Sequence, residues 1–472
     1  MKNYKETWLP HLKGAFPEAA YGNPSCMYVM SLEGWRRGLE LKFMIKKNTK
    51  NLLSAISYSL SDGKTEHVFH GSRGDFVTKE AIKICSNKDL TNKCLDEAGV
   101  SVPKGKGFNE ETNEEILEYS NTLGYPLVLK PSGGEGGVGV ITNIKNEEEM
   151  RKALHRIRTV ASHKKVIVER FFVGEDFRVY VLDGKVIGAF HRRSQSVVGD
   201  GKLNLEELLE IKNKERQISP FLAKGTITMD KKMKEYLKER NLTPEYIPAN
   251  GERVFLRRNG EFFGQRDSVN ATGKLSRKME ELAISAVKAI PGLPHGGVDM
   301  LINLEKDEGV VNEVNSRAQI SNHVFPVEGE AVDIPKLIID YYFPETKGND
   351  RNTSYYYEYK AVLESFENGT AEEIKIPSIT IGTQFTKNYV IAGKNIEEKY
   401  NKRLQREARG LKVNGFVDSI DSENISVVAS GTKKNIDSFE KKIKKHPFKN
   451  IKINNVAEND YNQPIKVGFE IK

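Results

Sequence analysis

The stretch Tyr125–Val140, YPLVLKPSGGEGGVGV, constrains this chain more than any other. A short β-type run, Leu127–Val128–Leu129, ends in Lys130, and Ser132–Gly139 then places five glycines in eight residues. Glycine lets backbone N–H groups approach phosphate oxygens closely, and a lysine adds a point charge beside them. No GxxxxGK[ST] occurs in the chain, so the segment is not a P-loop. Val138, Val140 and Ile141 continue in β-type sequence, which predicts a glycine-rich β-hairpin flap that holds polyphosphate. The competing reading is a loose hairpin with no ligand.

A chain of 472 residues has room for two to four domains. It has no run of about 18 apolar residues, so no membrane span or membrane partner is expected. The opening MKNYKETWLPHLKG lacks the apolar core of a signal peptide. Cys26, Cys85 and Cys94 show neither metal-ligand spacing nor a disulfide pattern, which fits a reducing cytoplasm. The net charge of +8 is concentrated late: residues 381–472 hold 18 Lys and Arg against 11 Asp and Glu. Such an excess attracts nucleic acid or another anionic partner, or is a solvated surface. The run Lys441–Lys445 has Asp437 and Glu440 beside it on a helix-like segment, which disfavours nucleic acid.

Along the chain, Cys26–Leu32 and Leu41–Ile45 read as strands around a helix at Leu32–Gly38, giving a small α/β domain over 1–85. Residues 86–345 carry alternating helix and strand signals, with a hairpin about Asp183-Gly184. Residues 346–380 read as a linker, because TKGNDRNTSYYYE is polar and irregular. Residues 381–472 follow the order β-α-β-β-α-β, a ferredoxin-like plan. The fold class is therefore α/β (α+β).

Several side chains carry chemistry. Glu313 and Asn315 alternate on VVNEVN and so share one strand face, to which pairing could bring Asp299 of GGVD. Such oxygen donors suit Mg2+, although the polar face of a hairpin would look the same. Arg257 in RVFLRR could neutralise a phosphate or carboxylate. Taken singly, Arg178, Arg192 and Arg193 read as surface or structural residues, and His323 as a structural histidine near the metal-like strand.

Together, the segments NKDLTNKCLDEAGVSVPKG, YPLVLKPSGGEGGVGV, VIVERFFVGEDFRVYVLDGKVIGAFHRRSQSVVGDGK, GERVFLRR, GGVDML and NEVNSRAQISNH resemble the ATP-grasp superfamily over residues 80–345. The detail is similar to carboxylate–amine ligases of the cyanophycin synthetase-like and D-alanine–D-alanine ligase-like types. The resemblance implies an ATP-grasp fold for 86–345 and assigns roles by position. Lys88 and Lys130 would contact ATP phosphates. Ser132, Gly133, Gly134, Gly136 and Gly137 would form the phosphate flap. Glu169 would meet the adenine amino group, Phe171 and Phe172 would supply hinge contacts, and Asp176 would take the ribose hydroxyls. Asp299, Glu313 and Asn315 would ligate two Mg2+ ions, with Mn2+ as a substitute. Arg257, with Lys130, would serve catalysis at the transferred phosphoryl group. The implied reaction joins a carboxylate to an amine through an acyl phosphate, acting on amino acid or peptide substrates in an enzyme that by analogy is a homodimer. Ser316-Arg317 departs from the small or proline-containing sequence that commonly follows the Asn, which leaves the acyl donor open.

The last domain resembles acylphosphatase in layout. Asn401 stands where that family has arginine, Ser419 where it has asparagine, and Glu397 where its phosphate cradle has glycine. The resemblance therefore implies a degenerate domain used for binding or assembly. Two alternatives remain at the level of sequence: a carboxylate–thiol ligase, or a non-catalytic ATP-binding module that presents its basic C-terminal domain to an anionic partner.

Overall fold

In the computed structural model, the structure describes residues 8–46, 52–109, 111–133, 139–161, 163–257, 266–380, 382–394, 398–421, 423–445 and 452–472. The described chain divides into two compact units: Asp75–Ile334, and Trp8–Gly74 together with Pro335–Lys472. No described helix is long and apolar enough to cross a membrane.

The Asp75–Ile334 unit is built on two sheets. The first runs in the order Gly105–Phe108, Val166–Arg170, Leu127–Pro131, Ile141–Ile144. Alternation sorts its faces. Leu127, Leu129, Val166 and Val168 enter a core with Ile116, Met150 and Leu154 from the helices Asn113–Leu123 and Glu147–Leu154. Val128, Lys130, Ile167 and Glu169 share the opposite face. Both helices start at sequence-encoded caps: Thr112 and Glu115 form a capping box, and Asn146 accepts from Glu149 N–H.

The second sheet is antiparallel, in the order Asp267–Asn270, Lys185–Arg193, Glu175–Leu182, His295–Asn303, Glu308–Asn315. Its hairpin turns at Asp183 (φ 48°) and Gly184 (φ 68°), the left-handed pair that a two-residue turn needs. One face presents Phe177, Val179, Val181, Val298, Met300, Val311 and Val314 to Met279, Ala283, Ala286 and Val287 of the helix Arg277–Lys288. The alternate residues — Asp176, Arg178, Arg192, Asp299, Glu313 and Asn315 among them — therefore gather on the other face. A smaller cluster, including Val197, Leu205, Leu208, Met233, Leu237 and Val254, holds the helices Leu205–Ile218 and Lys231–Glu239 against the strand pair Ser196–Val198 and Arg253–Phe255.

The other unit differs from expectation near its start. Ser25–Arg36 is one helix, and Cys26–Leu32 is not a strand. All twelve residues of that helix are buried, so its sequence lacks the polar stripe that would reveal a helical period. The segment read as a linker is structured. Tyr355–Tyr356 pairs in parallel with Ile465–Lys466, Tyr359–Glu367 is a helix, and Glu373–Lys375 pairs with Glu40–Ile45. Tyr355, Tyr357 and Tyr359 are fully buried, and the rings of Tyr357 and Tyr359 pack with Tyr28, Trp35 and Phe43.

The C-terminal sheet has the order Lys452–Asp460, Phe385–Lys394, Asn424–Gly431, Asn414–Ser419, Phe469–Ile471. Its first four strands give the ferredoxin-like arrangement, with Phe469–Ile471 added in parallel at the edge. The helices Glu398–Gly410 and Lys433–Lys444 bury Tyr400, Leu404, Ile436 and Phe439 against Tyr389, Ile391 and Val427.

Candidate active site

The site is assembled inside the Asp75–Ile334 unit from the polar faces of its two sheets. On the first sheet Lys130 lies opposite Ile167 and Glu169 opposite Val128, so Lys130 and Glu169 are diagonal neighbours. The Lys130 ammonium reaches the Glu169 carboxylate at 2.7 Å, and both are almost fully buried. Lys130 Nζ also donates to Asn312 Oδ1 at 3.3 Å, which ties the first sheet to the second. Asn312 stands in the register irregularity between Asp299 and Met300, where Asp299 pairs with Glu313 and Met300 with Val311. A bulge of this kind re-aims side chains locally.

On the second sheet Asp299 and Glu313 are directly paired, and Asn315 pairs with Gly297 on the same face. Asp299 is flanked by cations. Arg178 Nη2 donates to its Oδ2 at 2.8 Å, Arg178 Nε donates to its Oδ1, and Arg192 Nη2 donates to Oδ1 at 2.7 Å. Burial opposes ionisation of Asp299, but the two guanidinium groups prevail and hold its carboxyl at about 2. Burial, then the charge of Asp299, push Glu313 in the opposite direction, while Lys88 pulls it back. Lys88 opens the helix Lys88–Glu97, whose N-cap is Asn87. Two acidic groups with opposed shifts, side by side on paired strands, form a local concentration of negative charge.

The donor set fits a divalent cation on the structure's own terms. Asp299, Glu313 and Asn315 supply hard oxygen ligands from one face, the kind of donor Mg2+ takes. The Asn315 Nδ2 is buried with no hydrogen-bond partner among the described residues.

The remaining predicted residues fall as follows. Asp176 is held by Arg192 at 3.3 Å and Arg266 at 2.7 Å. Phe171 and Phe172 are half-buried, and Phe171 N–H donates to Pro126 C=O at 3.0 Å. Ser132 N–H donates to Lys165 C=O at 3.0 Å, and Gly133 is exposed. Gly134, Gly136 and Gly137 lie outside the described residues, as does Glu397. Arg257 is buried on Asp230 at 2.6 Å and Gln195 at 3.3 Å; its described partners do not include the carboxylate group around Asp299. His323 is fully enclosed, with its ring edge-on to Phe190.

Sequence reasoning undervalued Arg178 and Arg192 and missed Arg266 and Asn312. A signal for the first two existed. Asp176 and Arg178 alternate with Phe177 and Val179, so a polar face was legible. Nothing local marks Arg266 or Asn312, which matter only through cross-strand placement.

Comparison with known proteins follows the same division. Residues 87–179 match the family described as "Carbamoyl-phosphate synthase L chain, ATP binding domain". The glutathione biosynthesis bifunctional protein of Clostridium perfringens is 30% identical over 330 residues, covering 67% of this chain and 40% of that protein. The cyanophycin synthetase of Trichormus variabilis is 31% identical over 271 residues, covering 56% of this chain and 30% of that protein. The chain carries an ATP-grasp domain. Beyond the ATP-grasp region, residues 387–471 match the acylphosphatase family. Among solved structures, the bifunctional glutathione synthetase of Pasteurella multocida has 27% identity and a TM-score of 0.49, covering 61% of this chain and 41% of that one. The chain spans 40% or less of the length of the Clostridium perfringens and Trichormus variabilis proteins.

Proposed function

We propose that this protein is an ATP-dependent carboxylate–amine ligase that joins amino acid or peptide substrates through an acyl phosphate and releases ADP and phosphate. The observation that carries the reading is the Asp299–Glu313 pair with Asn315 on one face, ringed by Arg178, Arg192 and Lys88. That face offers hard oxygen donors and dense positive charge together, which is what transfer of a γ-phosphoryl group requires. Bound at Asp299, Glu313 and Asn315, Mg2+ would neutralise phosphate charge.

The chain's own groups do the rest. Lys130, which contacts Glu169 and Asn312, meets phosphate oxygens in this reading. Glu169 offers a buried acceptor for an exocyclic amine, and half-buried Phe171 and Phe172 adjoin it in sequence. A substrate carboxylate held by arginines attacks the γ-phosphorus, ADP leaves, and an amine then displaces phosphate from the acyl carbon. The amine loses a proton and the C–N bond forms; no covalent enzyme intermediate is needed. Exclusion of water protects the acyl phosphate.

The acylphosphatase-like domain is proposed to lack phosphatase activity. Asn401 is buried with Oδ1 unpartnered among the described residues, and Ser419 is exposed at a strand end. Neither supplies a guanidinium for a phosphate.

The deciding assay screens pairs of amino acids for amine-dependent release of ADP and phosphate, with products identified by mass. Asp299→Asn and Glu313→Gln are each expected to lower turnover by orders of magnitude. Full activity in both variants would remove the metal assignment. Product formation with thiols but not amines would move the acceptor class.

A further inference from the structure

Both oxygens of the Asp299 carboxylate are engaged. Arg178 takes Oδ2 and also reaches Oδ1, and Arg192 Nη2 takes Oδ1 at 2.7 Å. Arg192 then reaches across to Asp176 Oδ1 at 3.3 Å, and Arg266 holds Asp176 Oδ2 at 2.7 Å. The result is an alternating row, Arg178–Asp299–Arg192–Asp176–Arg266, with three cations for two anions. Glu313 lies beside the row; no described ion pair joins it to these arginines, although the charges of Arg178 and Arg192 act on it. A cation that binds Asp299 must compete with guanidinium groups for the same oxygens.

The two arginines at Asp299 are not equivalent. Arg178 grips the carboxylate with two nitrogens, and its stem lies against Gly297, where an added Cβ would come within 3.0 Å of Arg178 Cδ. Arg192 gives Asp299 one nitrogen, is more exposed, and keeps a second carboxylate within reach. It can give up Asp299 while remaining anchored on Asp176.

We propose that Arg192 is a positioning residue that couples cation binding to anion binding: it occupies Asp299 when no cation is bound, and the phosphate oxygens of a nucleotide take it when one is. The inference rests on the reading of Asp299 as a metal ligand. Its consequence is reciprocal, as any linkage between two sites must be. Cation alone binds weakly, because it must displace a hydrogen-bonded like charge. Nucleotide strengthens cation binding by giving the guanidinium another partner, and cation strengthens nucleotide binding to the same degree.

The test is direct binding of Mn2+ to the full chain, read by electron paramagnetic resonance, with and without saturating ADP. Wild type is expected to bind Mn2+ weakly alone and more tightly with ADP. Arg192→Gln is expected to bind Mn2+ alone about tenfold more tightly than wild type, since a nearby positive charge is gone, and to gain less from ADP. Arg192→Lys, which keeps the charge but loses the fork, covers the case in which the Gln variant fails to fold, and is expected to tighten by a smaller factor. Asp299→Asn separates the two claims. If Asp299→Asn abolishes Mn2+ binding while neither Arg192 variant tightens it or reduces the ADP effect, Arg192 has no such role and the metal reading stands. If Mn2+ binding survives unchanged in Asp299→Asn, the metal reading fails and the coupling falls with it.

Discussion

The Lys130–Glu169 pair permits a sharp energetic test. The two groups meet at 2.7 Å, with side chains 10% and 7% exposed, so solvent screens their attraction little. Lys130→Met keeps the apolar stem but leaves a carboxylate buried without its cation. Loss of one member of a buried pair typically costs about 3–5 kcal/mol, mostly from the stranded charge. The second contact of Lys130, to the exposed Asn312, adds little, because Asn312 can turn to water. Glu169→Leu strands the ammonium instead and is expected to cost a similar amount. The double variant leaves no buried charge and is expected to lie within about 1 kcal/mol of wild type. The assay is urea unfolding of the full chain, followed by hydrogen exchange in the Leu127–Pro131 and Val166–Arg170 strands, because a two-unit protein need not unfold in one step. The reasoning is refuted if Lys130→Met costs under about 1 kcal/mol, or if the two single effects simply add.

Three further outcomes follow from the structure. Burial alone holds His295 at about 4, and burial with the charges of Arg178 and Arg192 holds His323 at about 3, both below the ordinary 6.5. The unfolded chain therefore binds more protons than the folded one between those values and 6.5. Stability is full above about 6.5 and declines as pH falls, by about 2 kcal/mol for His295 between about pH 7 and pH 5. A melting temperature of the Asp75–Ile334 unit that is flat over that window would contradict this; His295→Asn should remove only the His295 share of the loss and leave that of His323. Gly297→Ala is expected to cost roughly 1–3 kcal/mol and to weaken Arg178's hold on Asp299, because the new Cβ would stand 2.5 Å from Ala318 Cβ; Ala318→Gly should restore stability in a denaturation series. A purified 381–472 fragment is expected to hydrolyse acyl phosphates no faster than buffer, and hydrolysis well above that level would restore the phosphatase reading.

What could be read from the sequence depended on how locally each feature is encoded. The Asp183-Gly184 turn and the ferredoxin-like order are local signals, and they appear where expected. The Ser25–Arg36 helix was legible only as apolar sequence, since burial on all sides erases periodicity. Tyr355, Tyr357 and Tyr359 looked like linker residues because their flanks are polar; the ring partners of Tyr357 and Tyr359 come from far earlier in the chain. Asp299, Glu313 and Lys130 stood out in the sequence as candidates, but their environment was not visible there. Which arginine answers which carboxylate is decided by strand register. The Arg192–Asp176 contact also gives Asp176 a charge partner that competes with the ribose role proposed for it.

The pairing of Lys42 with Lys375 has a consequence for the order in which the protein is made. The strand Glu40–Ile45 leaves the ribosome before the Asp75–Ile334 unit, but its neighbour Glu373–Lys375 emerges only after that unit. Between them emerges the whole of Asp75–Ile334, which has its own cores and can collapse first. Closing so long a loop as flexible chain is entropically costly, though the cost grows only logarithmically with length. Prior folding of the intervening unit would replace that floppy excursion with a compact insert. During translation, the open edge of Glu40–Ile45 is thus a waiting template, exposed to chaperones or to the same strand of a neighbouring nascent chain.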